Sequence, residues 1–235
     1  MSGDRRAELA GSLAAVEQRI ASACDAAGRP RDDVTLVVVT KFFPASDVAL
    51  LHELGVRHVG ESRHQEAAAK VAQCSGLDLT WHFVGHLQTN KAAAVGAWAH
   101  VVQSVDRSKL LNGLARAAGE AGRDLDVLVQ VSLDRHTDRG SRSGAPPEEV
   151  AGLAEAVLAA DHLRLCGVMA VAPREGEPAE AFARLAEVAS DVRRVDPAAT
   201  WVSAGMSGDL EAAIAAGATH VRVGSAVLGN RPPHG

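Results

Sequence analysis

Eight short runs rich in β-branched and apolar residues, at 34–40, 57–60, 80–84, 100–105, 125–132, 163–171, 199–203 and 219–223, constrain the fold of this chain more than any other feature. Each is too short for a buried helix and reads as a strand covered on both faces, the pattern of parallel sheets. The stretches between them are alanine-rich and helix-compatible. Right-handed crossovers of this length return each strand parallel to the last, so eight such units predict an α/β fold, a single (β/α)8 TIM-type barrel; a doubly wound open sheet is the alternative. Ahead of the first run, Leu9, Leu13, Val16 and Ile20 repeat at helical spacing and stop at Gly28 and Pro30, which predicts an extra N-terminal helix over 5–27. No linker interrupts the pattern, and residues 1–235 read as one domain. The one long irregular stretch, 133–148, follows a strand and is expected at the barrel's C-terminal face.

Composition removes several classes of function. A net charge of -5 and no arginine-rich stripe interleaved with aromatics argue against nucleic acid as a partner. Cys24, Cys74 and Cys166 are odd in number and widely spaced, which argues against a zinc site or a disulfide framework. The N-terminus has charged residues from Asp4 to Glu17 and no apolar core, and no uncharged apolar stretch reaches membrane-spanning length, so a cytoplasmic location is expected. A closed barrel has no exposed sheet edge, which favours a monomer. Only four of the 24 basic side chains are lysines, Lys41, Lys70, Lys91 and Lys109, so each merits attention.

Lys41 closes the first strand run. If its parity is inward, its amine lies at the mouth where barrel sites form, and partial desolvation would leave a nucleophilic fraction able to condense with an aldehyde. A solvated lysine at a strand end is the other reading. Ser203 closes the seventh run and leads into Ala204, Gly205, Met206, Ser207 and Gly208, with Ser207 as an expected helix N-cap, while the eighth run carries Arg222, which points to the same mouth if its parity is inward, and leads into Gly224 and Ser225. Small residues there let backbone N–H groups approach a phosphate, although they also suit plain tight turns. His82 alternates with Trp81 and Phe83 and is expected inside the barrel, where a hydrogen-bonded core role outweighs a catalytic one. Gln88, Asn90 and Lys91 read as caps for the next helix, and Arg135, His136, Arg139 and Arg142, interspersed with Asp134 and Asp138, as a solvated salt-bridging loop.

The motifs LVVVTK (36–41), GESRHQE (60–66), WHFVGHLQTNK (81–91), VLVQVSLD (127–134), GVMAVAP (167–173) and the long run from Ser203 to Arg231 resemble, in that order, the pyridoxal phosphate homeostasis proteins, whose barrel is like the N-terminal domain of alanine racemase, fold type III of the pyridoxal 5'-phosphate (PLP) proteins. The resemblance implies a Schiff base of PLP on Lys41, phosphate contacts from Ser203, Gly205, Gly224 and Ser225, and Arg222 facing the pyridine nitrogen. Ser62, His82 and Met169 complete the implied cofactor surroundings. Ser62 stands where the family usually has asparagine, Ala204 where methionine is usual, and Ser225 where threonine is common.

An arginine beside the pyridine nitrogen opposes its protonation and weakens the ring as an electron sink. Racemases of this fold add a tyrosine from a further domain; this sequence contains no tyrosine and ends just after the eighth run. The expectation is therefore a non-enzymatic protein that holds PLP and related B6 vitamers for intracellular homeostasis. Delivery to apo PLP enzymes is implied by the resemblance alone. A weak racemase or lyase using His82 or a cysteine as base, and a lysine aldolase without PLP, are the alternatives.

Overall fold

The computed structural model describes residues 2–134 and 144–230, and the eight runs form eight parallel strands closed into a barrel in sequence order. The strands are β1 (Thr35–Val39), β2 (His58–Glu61), β3 (Thr80–Phe83), β4 (Val101–Val105), β5 (Leu125–Val131), β6 (Leu163–Ala170), β7 (Trp201–Ser203) and β8 (His220–Val223). Pairing of Val37 with Arg222 and Val38 with Val223 closes the ring between β1 and β8. The helices are α1 (Ser2–Ala26), α2 (Ala45–Glu53), α3 (His64–Gln73), α4 (Ala92–Gly96), α5 (Leu111–Glu120), α6 (Pro147–Leu158), α7 (Pro178–Val195), α8 (Leu210–Ala215) and α9 (Ser225–Leu228).

Strand parity divides the side chains into two sets. Leu36 and Val38, Val127 and Val129, Val168 and Ala170, and Val221 and Val223 point outward into apolar layers beneath the helices. Each leucine or phenylalanine sealed there, such as Leu185 or Phe182, contributes about 1.5–3 kcal/mol of burial. The opposite set points into the barrel and is unusually polar: Gln103, His82, Ser203, His220 and Arg222 are all buried. An apolar interior patch of Val101, Leu128, Cys166 and Met169 fills the β4–β6 side.

The N-terminal helix is tied to the barrel by arginines. Arg5 reaches Asp47 of α2 at 2.6 Å and the Leu228 carbonyl of α9 at 3.1 Å. Arg19 pairs with Glu211 of α8 and donates to the Ser207 carbonyl at 3.0 Å, so α1 steadies the loop after β7 from behind.

Two expectations need correction. The helix after β7 starts at Leu210, so Ser207 is not its cap; Asp209 precedes the helix and its carboxylate accepts the Met206 N–H at 2.6 Å, folding the loop on itself. Gln88, Asn90 and Lys91 do not cap α4 with their side chains; Thr89–Lys91 form a 3-10 turn that runs straight into it. Within 133–148, Ala145 bridges to Val131 and α6 begins at Pro147, whereas Arg135, His136, Asp138, Arg139 and Arg142 lie outside the described residues.

Candidate functional site at the barrel mouth

Lys41 follows β1 by two residues, in the turn after the strand, at a position of the same parity as Val37 and Val39. The peptide units on both sides of it are held from β2 and α3. Lys70 of α3 donates to the Thr40 carbonyl at 2.8 Å and pairs with Glu61 at 2.5 Å, while the Thr40 hydroxyl donates to the same Glu61 oxygen at 2.6 Å. Glu66 accepts the Phe42 N–H at 2.5 Å and lies 3.3 Å from the Lys70 ammonium. Phe42 has a left-handed backbone, φ 73°, and its ring lies under the Arg63 guanidinium at 5.1 Å. Burial pushes the Glu61 carboxyl up, and the Lys70 ammonium and Thr40 hydroxyl draw it back. Its second oxygen, Oε2, is buried without a hydrogen-bond partner. Glu61 and Glu66 entered the sequence reading only as letters of a motif, and Lys70 only as one of four lysines.

Beneath the mouth a hydrogen-bonded chain crosses the barrel. Arg222 donates to the Ser203 hydroxyl at 2.7 Å and to the Ala170 carbonyl at 2.8 Å. Ser203 donates to Gln103 Oε1 at 2.7 Å, and the Gln103 amide nitrogen donates to His82 Nδ1 at 2.9 Å. His82 Nδ1 therefore accepts, Nε2 carries the proton, and it donates to His58 Nδ1 at 3.0 Å. His82 is thus a core histidine with both ring nitrogens engaged. Among the described residues no carboxylate hydrogen-bonds Arg222, and burial, opposed by the charge of Asp209, pulls its pKa down to about 10. Gln103 and His58, which link this chain, escaped the sequence reading because one glutamine in a valine run carries no motif.

The loops after β7 and β8 meet at the same mouth as Lys41. The Ser207 and Ser225 hydroxyls face each other at 3.4 Å. A Cβ on Gly224 would stand 3.2 Å from the Val39 carbonyl, which shows how closely the end of β8 approaches the end of β1. Gly205 has φ 90° and a Cβ there would sit 2.7 Å from that of Ala213, so its glycine serves the turn and the packing of α8. The Ser203 hydroxyl, in contrast, is committed to the interior chain. Met169 is buried in the interior patch and pairs in register with Ser203. Ser62 follows β2 and lines a cleft of about 600 Å³ with Arg63, Glu66, Phe83, Gln88 and Lys91.

The interior histidines make stability depend on pH. Burial lowers the pKa of His58 and of His82, and lowers His220 to about 3. The unfolded imidazoles take up a proton below about pH 6.5, where the folded ones do not. The unfolded state then binds more protons, so stability is full above about pH 6.5 and falls as pH drops below it, by up to about 1.4 kcal/mol per pH unit for each ring that stays neutral, down to about pH 3 for His220. The urea midpoint is expected to decline steadily from pH 7 to 5, and a flat profile would show that the rings are not held neutral.

Residues 12–232, which span the whole barrel, match the family model of the alanine racemase N-terminal domain. The pyridoxal phosphate homeostasis protein of Mycobacterium tuberculosis is 44% identical over 97% of this chain and 95% of its own length. The protein of the same name from Escherichia coli is 36% identical over 95% of this chain and 97% of its own. PipY of Synechococcus elongatus, solved with PLP bound, superposes with a TM-score of 0.81 at 32% identity, covering 94% of this chain and all of PipY. The chain belongs to the pyridoxal phosphate homeostasis protein family.

Proposed function

We propose that this protein binds PLP through Lys41 and serves in PLP homeostasis, holding the reactive aldehyde without turning over a substrate. One observation carries the reading: at the β1–β8 seam the end of β8 approaches the end of β1 so closely that a Cβ on Gly224 would stand 3.2 Å from the Val39 carbonyl, two residues before Lys41. Bound PLP supplies an aldehyde, an electron-accepting pyridine ring and a phosphate dianion. The residues present fit those three groups. Lys41, through an unprotonated amine, would hold the group covalently at its aldehyde carbon, with the carbonyl oxygen lost as water. The facing hydroxyls of Ser207 and Ser225 can donate to phosphate oxygens, with the backbone of Ser203, Gly205 and Gly224 around them. Arg222, a donor that no carboxylate hydrogen-bonds among the described residues, suits an unprotonated pyridine nitrogen. Ser62, just after β2, and Met169, in register with Ser203, would complete the surroundings of the ligand, and His82 supports Ser203 from below through Gln103.

Several features support binding over catalysis. His82 has both nitrogens engaged and a pKa held well below 6.5 by burial, which leaves it a poor base. Cys166, the interior thiol, is pushed up to about 12 by burial and by Asp126. Three buried free thiols suit a reducing compartment, the cytoplasm, and the closed ring, which lacks an open sheet edge, suits a monomer. Release of PLP to apoenzymes would follow by exchange of Lys41 for an incoming amine.

The test is the visible absorbance of protein incubated with PLP, wild type beside Lys41→Ala, followed by borohydride reduction and peptide mapping. The wild type is expected to turn yellow and carry a phosphopyridoxyl group on the Lys41 peptide, and Lys41→Ala to lose both signals. A colourless wild type with no adduct on Lys41 refutes the reading and favours a lysine aldolase.

A further inference from the structure

The backbone around Lys41 is costlier than a strand end requires. Phe42, a bulky residue, is held at φ 73°; Glu61 is wholly buried with Oε2 unpartnered; and its counter-ion Lys70 is 4% exposed. Such costs persist where surrounding contacts over-determine a conformation, and they gather at functional sites. Here all of them converge on one residue. Lys70 takes the carbonyl of residue 40, Glu66 takes the N–H of residue 42, and Lys41 lies between. Thr40 and Glu61 carry outward parity, so the Glu61–Lys70 pair sits behind the barrel wall while Lys41 stands at a position of the opposite parity, that of Val37 and Val39. With both flanking peptide planes fixed, the Cα–Cβ direction of Lys41 is fixed too.

From this geometry we infer that Glu66 and Lys70 are positioning residues for Lys41: bonded to the peptide groups on either side of it, they aim its amine into the barrel mouth. The inference rests on the proposed covalent role of Lys41. Glu66 is the better residue to test, because it is partly exposed and its loss leaves Glu61 paired with Lys70. Glu66→Ala frees the Phe42 N–H, whereas Glu66→Gln keeps an oxygen to accept it.

The experiment follows two ligands in parallel. One is PLP, whose condensation is read as the rate of absorbance change. The other is pyridoxine 5'-phosphate, which has the same ring and phosphate but an alcohol in place of the aldehyde, and whose affinity is read by calorimetry. Glu66→Ala is expected to slow PLP condensation about tenfold or more, since a misaimed nucleophile loses the advantage of orientation, with pyridoxine 5'-phosphate affinity unchanged. Glu66→Gln is expected to stay within about threefold of wild type, because the acceptor is retained. An unchanged condensation rate in Glu66→Ala, or an equal loss for both ligands, overturns the inference, the second outcome indicating a general structural role. A Glu66→Gln variant as slow as Glu66→Ala overturns the Phe42 hydrogen bond as the agent. A wild type that binds pyridoxine 5'-phosphate yet forms no adduct on Lys41 overturns the covalent reading itself, and the positioning role with it.

Discussion

Lys70→Met is expected to lower the unfolding free energy by about 3–5 kcal/mol, because it leaves the Glu61 carboxylate buried with no counter-ion. Glu61 is fully enclosed, and one of its oxygens already lacks a partner. Methionine fills the space of the lysine stem but offers no charge, so the penalty comes from the carboxylate left behind. That penalty has a pH signature. Without Lys70 the push of burial on Glu61 is opposed only by the Thr40 hydroxyl, so its folded pKa rises well above the unfolded value near 4.3. The folded variant then holds a proton that the unfolded chain does not, and its stability falls as pH rises through the raised pKa. Measured against wild type at the same pH, the deficit should be larger at pH 8 than at pH 6. Adding Glu61→Leu should return most of the loss, since a buried pair replaced by apolar groups is often neutral. An urea midpoint for Lys70→Met equal to that of wild type would mean that the pair is solvated.

The contrast between Lys41 and Lys70 shows what the sequence could convey. Lys41 follows a run of seven β-branched or leucine residues, so strand, parity and barrel mouth are all expectations of local pattern. Lys70 sits in HQEAAAKVAQ, where a glutamate four residues before it looks like an ordinary solvent-exposed helical pair. Its burial depends on α3 lying against the ends of β1 and β2, a tertiary fact with no periodic signature. The available hint was chemical: two glutamates and one scarce lysine within ten positions of a strand end. The interior chain was half legible. Ser203, Arg222 and His82 stood out by motif, but the link between them, Gln103, lies in VVQSV, where parity alone could have marked it as inward. Ser207 was assigned to capping because serine before a helix commonly caps. Asp209, two residues later, holds the loop by taking the Met206 N–H, and the Ser207 hydroxyl turns toward Ser225.

Gly167→Ala is expected to be the most damaging single methyl addition to the barrel. The register between β5 and β6 slips where Val127 faces Leu165 but Leu128 faces Gly167, a bulge with one extra residue on β6. The bulge brings both Cys166 and Met169 into the interior patch, and Gly167 absorbs it with φ 147°. A Cβ there would stand 1.9 Å from the Trp201 carbonyl oxygen and 2.8 Å from the Trp201 nitrogen, both backbone atoms of the neighbouring strand. No side-chain rotation relieves such a clash. Either the bulge unwinds, which would move Met169 out of register with Ser203, or β7 shifts away, and β7 is only three residues long. A loss of about 4 kcal/mol or more is expected, in the range reserved for mutations that break a specific backbone arrangement. Gly152→Ala is the matching control: Gly152 is exposed within α6 with nothing near its Cβ position, and alanine there should stabilise by about 0.5–1 kcal/mol. Denaturation midpoints that move in opposite directions for the two variants would confirm that the bulge, and not glycine content, sets the β6–β7 seam beneath the site. A Gly167→Ala protein as stable as wild type would mean that the seam has a different register in solution.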